Sequence, residues 1–190
     1  LDIGTTKVVA LAGYVNEYEK IEVLGIGTVK SEGVTRGVVS NIDRTVRAIK
    51  ESIEMAEQAA QCKFVKVHVG IAGQHIKSIH HHGLLVRHDH NSEISEDDVN
   101  KLIKDMYKLV LPPGDKILHV IPQEYTVDNE QDIVDPIGMS GIRLEANFHI
   151  ITGQISASRN ILKCVEKADL DVADITLEPI ASASSVLSDE

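Results

Sequence analysis

The sequence predicts a mixed α/β fold: a sheet covered by helices, with a second, smaller α+β domain inserted into it. Three observations carry this. The chain opens with three successive strand-like runs, at residues 1–3, 6–15 and 20–30. From residue 40 onward, amphipathic helical stretches alternate with short apolar strands, the order of a helix-covered sheet. Between two of these stretches, at about 74–153, lies a segment with its own strand, helix, strand, strand order, enough for a separate core.

The opening strands are joined by the polar hairpin loop Asn16-Glu17-Tyr18-Glu19. A glycine-punctuated link follows, Ser31 to Val39, and Ser40 or Asn41 caps a long helix. Ile42, Val46, Ile49, Ile53, Ala56 and Ala60 recur every three or four residues and form one apolar stripe. Arg44, Lys50, Glu51 and Glu57 are expected on the opposite, solvent face. Phe64 to Gly73 alternates as a strand, with Val65, Val67, Val69 and Ile71 on one side. After the insertion come a helix at 156–168, a strand from Val172 to Leu177, and a helix opened by Pro179, a favoured first helical position.

Inside the insertion, 74–88 reads as a strand. Ser95 with Asp98 forms a capping-box variant before a helix bearing Val99, Leu102, Ile103, Met106 and Val110. Two further strands, about 116–127 and 142–152, are joined by the acidic stretch Asp128 to Asp132, read as a solvated loop. The expected domains are therefore 1–73 and 154–190 as one split unit, and 74–153 as the inserted one.

Composition narrows the function. With 43% hydrophobic and 25% charged residues, the chain is of the globular class. A net charge of −10 disfavours nucleic acid and anionic lipid as partners, and 3% aromatics with no Trp leaves no base-stacking platform. Cys62 and Cys164 lie far apart, outside any CxxC pair or zinc spacing, and are expected as reduced thiols. No apolar run approaches a membrane span, and no signal peptide is expected before Leu1. A first strand of so few residues is expected to be a strand cut short, so the chain reads as a fragment.

The chemistry concentrates in Leu1-Asp2-Ile3-Gly4-Thr5-Thr6-Lys7. A turn at Gly4, Thr5, Thr6 and Lys7 aligns backbone N–H groups into an anion-binding concavity, to which Lys7 adds positive charge. Asp2 supplies a hard oxygen that can hold Mg²⁺ through its water shell. A phosphate chain fits such a site. The turn joins strand to strand and is not a Walker loop, which needs G-x-x-x-x-G-K-[ST] before a helix. The alternative is an ordinary Gly-Thr hairpin with an exposed lysine.

D-I-G-T-T-K resembles the first phosphate loop of the actin, Hsp70 and sugar-kinase superfamily. The element order resembles the ribonuclease H-like half-domain on which these proteins are built. Three further segments resemble one family, the bacterial cell-division protein FtsA: Gly33 to Asn41, His119-Val120-Ile121-Pro122-Gln123-Glu124-Tyr125, and Pro136 to Leu144 continuing to His149-Ile150-Ile151-Thr152. The last two look like the inserted SHS2-type subdomain called 1C, which would place 1–73 and 154–190 in subdomain 1A.

This resemblance implies an actin-like fold, ATP and Mg²⁺ as ligands, and action at the inner face of the cytoplasmic membrane, where FtsA links FtsZ filaments to the membrane. It places Gly4, Thr5, Thr6 and Lys7 at the ATP phosphates and Asp2 near Mg²⁺. Glu178, in Glu178-Pro179-Ile180-Ala181, resembles the Glu-Pro-x-Ala segment of Hsp70-type helices, whose acid faces the metal and its waters. A helix-capping or solvent-exposed role for Glu178 is the other reading. FtsZ and membrane would be engaged through parts outside these residues, and neighbouring subunits and other division proteins through subdomain 1C. The chain alone is expected to be monomeric. No general base for ATP hydrolysis is evident among its residues.

Other constellations carry less. His75, His80, His81, His82, His88 and His90 crowd one region without the organised second shell of a metal site. Pro136 to Gly141 lacks a following helix N-terminus and reads as a structured loop. A two-metal nuclease of the ribonuclease H type would need more acids, and Val69 to Gly73 supplies none. A pilus-assembly actin homologue shares the insertion, but His119 to Tyr125 favours FtsA; a sugar kinase would lack the insertion.

Overall fold

The computed structural model describes residues 1–87 and 93–187. Its elements in chain order are β1 (Asp2–Ile3), β2 (Lys7–Val15), β3 (Ile21–Lys30), β4 (Val34–Thr35), β5 (Val38–Val39), α1 (Ile42–Ala60) and β6 (Lys66–Ile71). There follow β7 (Ile76–Val86), α2 (Glu96–Met106), β8 (Asp115–Val127), β9 (Glu130–Ile133) and β10 (Arg143–Gln154). The chain closes with α3 (Ile155–Lys167), β11 (Asp171–Leu177) and α4 (Glu178–Val186). Two compact units result: unit 1 comprises Leu1–His75 and Ser156–Glu190, and unit 2 comprises Ile76–Ile155.

Unit 1 is built on a five-stranded sheet of order β11-β6-β1-β2-β3. β11, β6 and β1 run parallel, and β1, β2 and β3 form the antiparallel meander. Asn41 caps α1, its side-chain oxygen accepting the Arg44 N–H at 3.0 Å. Helix and sheet approach closely: a Cβ on Gly27 of β3 would lie 1.8 Å from the Ser52 carbonyl oxygen. The buried face of α1 accordingly runs over Thr45, Ala48, Ile49, Ser52, Ile53, Ala56 and Glu57.

This corrects the sequence reading of Glu57, which does not share the solvent face with Arg44 and Glu51. The helix turns its smallest residues onto the glycines of β3, and Glu57 turns with them. Its carboxylate accepts from the Lys63 ammonium at 2.5 Å and from the Phe64 N–H at 2.8 Å, so the charge is compensated.

Unit 2 is a four-stranded antiparallel sheet of order β7-β10-β8-β9, with α2 packed on one face. Phe148, Leu144, Ile150, Ile94, Leu102 and Met106 belong to its hydrophobic core. The Ser95–Asp98 capping box is present in both directions. Buried Arg87 donates to the carbonyls of Gly141 at 2.7 Å and Glu93 at 2.6 Å, and pairs with Asp98 at 3.2 Å. The segment 136–141 is a structured loop: Pro136 is fully buried, and the Ile94 N–H donates to the Met139 carbonyl at 2.8 Å.

The acidic stretch is not simply a loop. Asp128 and Asn129 make the turn, with Asp128 at φ 53°, and Glu130 to Ile133 return along β8 as a fourth strand. Among the described residues no helix is long and apolar enough to cross a membrane.

Candidate functional site

The turn between β1 and β2 is closed by a hydrogen bond from the Gly4 N–H to the Lys7 carbonyl, at 3.0 Å. Gly4 therefore shapes the turn but does not offer a free amide, which corrects the expectation that all four N–H groups line up. Thr5, Thr6 and Lys7 are exposed beyond it. The Thr6 carbonyl is held by the Ser31 N–H at 3.0 Å, and Thr5 Oγ1 accepts the Gly37 N–H at 3.2 Å. Lys7 stands opposite Lys30 in the β2–β3 register; Lys30 leans on Glu32 at 3.4 Å.

Asp2 and Glu178 meet beside this turn. Asp2 opens the two-residue β1, one residue before its end, and Glu178 opens α4 immediately after β11, so both lie near the C-terminal ends of parallel strands, where open α/β sheets bind ligands. Between them runs β6, with Gly70 directly opposite Asp2. A Cβ on Gly70 would sit 3.0 Å from Glu178 Cγ and 3.4 Å from its Oε1. Gly70 thus makes the space in which the two carboxyls approach. It was not singled out from sequence, although a glycine inside a strand is the ordinary sign of such an approach.

Burial, the negative charge of Asp2 and a hydrogen bond between the two side chains push the Glu178 carboxyl up to about 7. A carboxyl raised in this way by a partly desolvated corner and a neighbouring acid is what a divalent cation relieves, since the cation faces both side chains together. The donor set fits Mg²⁺ held through its water shell. The adjacent Thr5, Thr6 and Lys7 fit an anion carried by that cation.

The histidines go to different places. His75 is buried in unit 1, and neither ring nitrogen has a hydrogen-bond partner among the described residues. His80 meets His149 edge-on, with ring centroids 5.0 Å apart. His88 and His90 lie outside the described residues. Among the described residues no group of three or more His, Cys, Asp and Glu is arranged to hold a metal ion.

His82 belongs to a polar network on the unit 2 sheet. Its Nε2 lies 2.7 Å from a Glu145 oxygen and its Nδ1 lies 3.1 Å from Asn147 Oδ1. Asn147 Nδ2 donates to Glu124 at 2.9 Å, which fixes the amide orientation, and Arg143 donates to Glu145. A cavity of about 330 Å³ is lined by these side chains together with Asp128 and Asp132. Hydrogen bonds from Arg143 and His82 hold the Glu145 carboxyl below its usual range, and those to Asn147 and Glu145 raise His82.

Residues 73–152 match the family of the SHS2 domain inserted in FtsA. All 190 residues align with the cell division protein FtsA of Pseudomonas aeruginosa at 44% identity, of Neisseria meningitidis at 40% and of Escherichia coli K12 at 32%. Along its whole length the chain is similar to FtsA. It spans 45% of the length of each of these FtsA relatives. Among solved structures, the PilM-PilN type IV pilus biogenesis complex matches with a TM-score of 0.65, over 96% of this chain and 48% of that one, at 11% identity. At that identity the likeness is one of fold alone: the FtsA-type sequence is carried on an actin-like α/β half-domain with an SHS2 insertion.

Proposed function

We propose that this chain is the nucleotide-facing part of an actin-like cell-division protein. ATP phosphates lie against Thr5, Thr6 and Lys7 of the turn shaped by Gly4, with Mg²⁺ held through water by Asp2 and Glu178. When bound, the Mg²⁺ neutralises phosphate charge. Asp2 and Glu178 orient its waters, Lys7 meets the phosphate oxygens, and Gly70 keeps the corner open. The observation that carries this reading is the Asp2–Glu178 pair, two acids forced together beside an exposed hydroxyl- and lysine-bearing turn.

In this reading, units 1 and 2 correspond to subdomains 1A and 1C. The division role comes from the names of the relatives. Tethering FtsZ filaments to the inner face of the membrane belongs to the whole protein, with unit 2 offering the surface for neighbouring subunits and other division proteins. A pilus-assembly role shares the fold but has only 11% identity behind it. A nuclease would need carboxylates beyond the two that meet here.

Calorimetry on the full-length parent tests the site. Lys7→Ala and Gly4→Val are each expected to weaken MgATP binding at least tenfold, one by removing charge and one by opening the turn. Unchanged affinity in both would remove the nucleotide assignment. The 190-residue chain itself is expected to bind MgATP weakly, as one wall of a cleft. Tight binding to it would place the whole site within these residues.

A further inference from the structure

Thr5 has a second attachment. Its oxygen accepts the Gly37 N–H, 32 positions away in sequence, at 3.2 Å. A hydroxyl has one proton and two lone pairs. With a lone pair engaged by Gly37, the proton is left to donate outward, where an anion's oxygen would accept it. The sequence reading treated Ser31 to Val39 as a link, but it folds as a hairpin of β4 and β5 with Arg36 and Gly37 at its tip. Both tip residues have positive φ, 51° and 76°, as a two-residue hairpin turn requires.

The tip is pressed backbone to backbone on the chain leaving β6. A Cβ on Gly37 would lie 1.9 Å from the Ala72 carbonyl oxygen, and one on Gly73 would lie 2.6 Å from that of Arg36. The Gln74 N–H donates to the Arg36 carbonyl at 3.3 Å. Next comes His75, 3% exposed, with both ring nitrogens unpartnered among the described residues. Its Nδ1 lies 3.2 Å from where a Gly73 Cβ would be. Because glycine backbones form the contact, no side-chain rotation can absorb a displacement of the tip. All of these residues belong to unit 1, and the series ends one residue before Ile76 opens unit 2.

We propose that the β4–β5 hairpin is a coupling element: Thr5 is its positioning residue, and the hairpin transmits occupancy of the phosphate turn through Gly37 to Ala72–His75. The proposal rests on the nucleotide reading above and names how that site communicates. Coupling of this kind is reciprocal, so ordering of Ala72–His75 also favours occupancy of the turn.

The test uses the 190-residue chain, by NMR. Thr5→Val removes the acceptor at nearly constant volume, and Thr5→Ser keeps it. Without ligand, Thr5→Val is expected to speed hydrogen exchange at the Gly37 and Gln74 amides about tenfold, whereas Thr5→Ser matches the parent. On titration with millimolar MgATP, the Thr5–Lys7 amides and the His75 ring signals are expected to shift together in the parent and in Thr5→Ser. In Thr5→Val the His75 shifts disappear. Equal exchange at Gln74 in the parent and Thr5→Val, or MgATP shifts confined to Thr5–Lys7, would overturn the coupling and leave the nucleotide reading standing. Absence of any MgATP shift at Thr5–Lys7 would overturn the nucleotide reading and the transmitted signal with it. The ligand-free exchange comparison would still judge the mechanical link.

Discussion

Glu178 in unit 1 and Glu145 in unit 2 are both shielded glutamates, and their surroundings drive them in opposite directions. Glu145 accepts from Arg143 and His82 and is held low. Glu178 faces Asp2 with burial against it and is pushed up to about 7. The first is a finished network, its charges matched within the fold. The second is matched only by keeping a proton, and a cation would serve it better. A fold that compensates buried charge elsewhere, at Glu57, Arg87 and Glu145, leaves it uncompensated at the corner where function is proposed.

The largest expected effect breaks unit 2's side of this contrast. Arg87→Ala leaves the carbonyls of Glu93 and Gly141 without the guanidinium donor and takes the ion-pair partner from Asp98, which keeps its bonds from Ser95. Two unsatisfied carbonyls and the lost ion pair are expected to cost about 2–4 kcal/mol, read as an earlier urea midpoint for unit 2. Asp98→Asn, which keeps an acceptor near Arg87 and the α2 N-terminus, is expected to cost less. Equal and small losses in both variants would mean that Arg87 is compensated by water.

Glu178→Gln breaks the other side, in the opposite sense. A carboxyl whose folded value is raised from 4.5 to about 7 contributes stability below pH ~4.5, and loses it as pH rises through 7. At pH 8 without Mg²⁺ the neutral variant is therefore expected to be more stable than the parent by about 1–2 kcal/mol, the shift being discounted for solvent screening. At pH 5 the two are expected to converge. Millimolar Mg²⁺ should raise the thermal midpoint of the parent at pH 8, do less at pH 6 where the proton competes, and leave Glu178→Gln unmoved. A parent midpoint indifferent to both pH and Mg²⁺ would mean the two carboxyls do not share a site.

The parts of this contrast differed in legibility. Strand alternation and the apolar stripe gave β2, β3, β6, α1 and α3, because periodicity reports which face is buried. β9 was hidden because Glu130, Gln131 and Asp132 are all exposed and leave no alternation; its signal was the Asp128-Asn129 turn. Glu57 was misassigned because α1 packs small residues on Gly25 and Gly27, so the heaviest apolar stripe was not the line of closest approach. Asp2 and the turn were legible as a motif. Their union with Glu178 depends on strand order across β11, β6 and β1, which no local window contains.

The smallest effect sharpens the comparison. Both ring nitrogens of His82 face oxygens, and Glu124, by taking the Asn147 amide nitrogen, keeps Asn147 Oδ1 turned to the ring. Two acceptors need two N–H donors, so the network is complete only with the imidazolium. Its raised value means that His82 contributes stability below pH ~6.5 and loses it as pH rises through the elevated value. The side chain is half exposed, so the contribution is expected to stay below about 1 kcal/mol. An NMR titration of the His82 ring is expected to show the elevated value in the parent and a fall toward the ordinary one in Glu124→Gln, where a second amide frees Asn147 to turn its nitrogen to the ring. Mg²⁺ should leave this titration unchanged while shifting that of Glu178. An unshifted His82 in the parent would mean that Glu145 is held low by Arg143 alone, and unit 2's network would then carry no proton of its own.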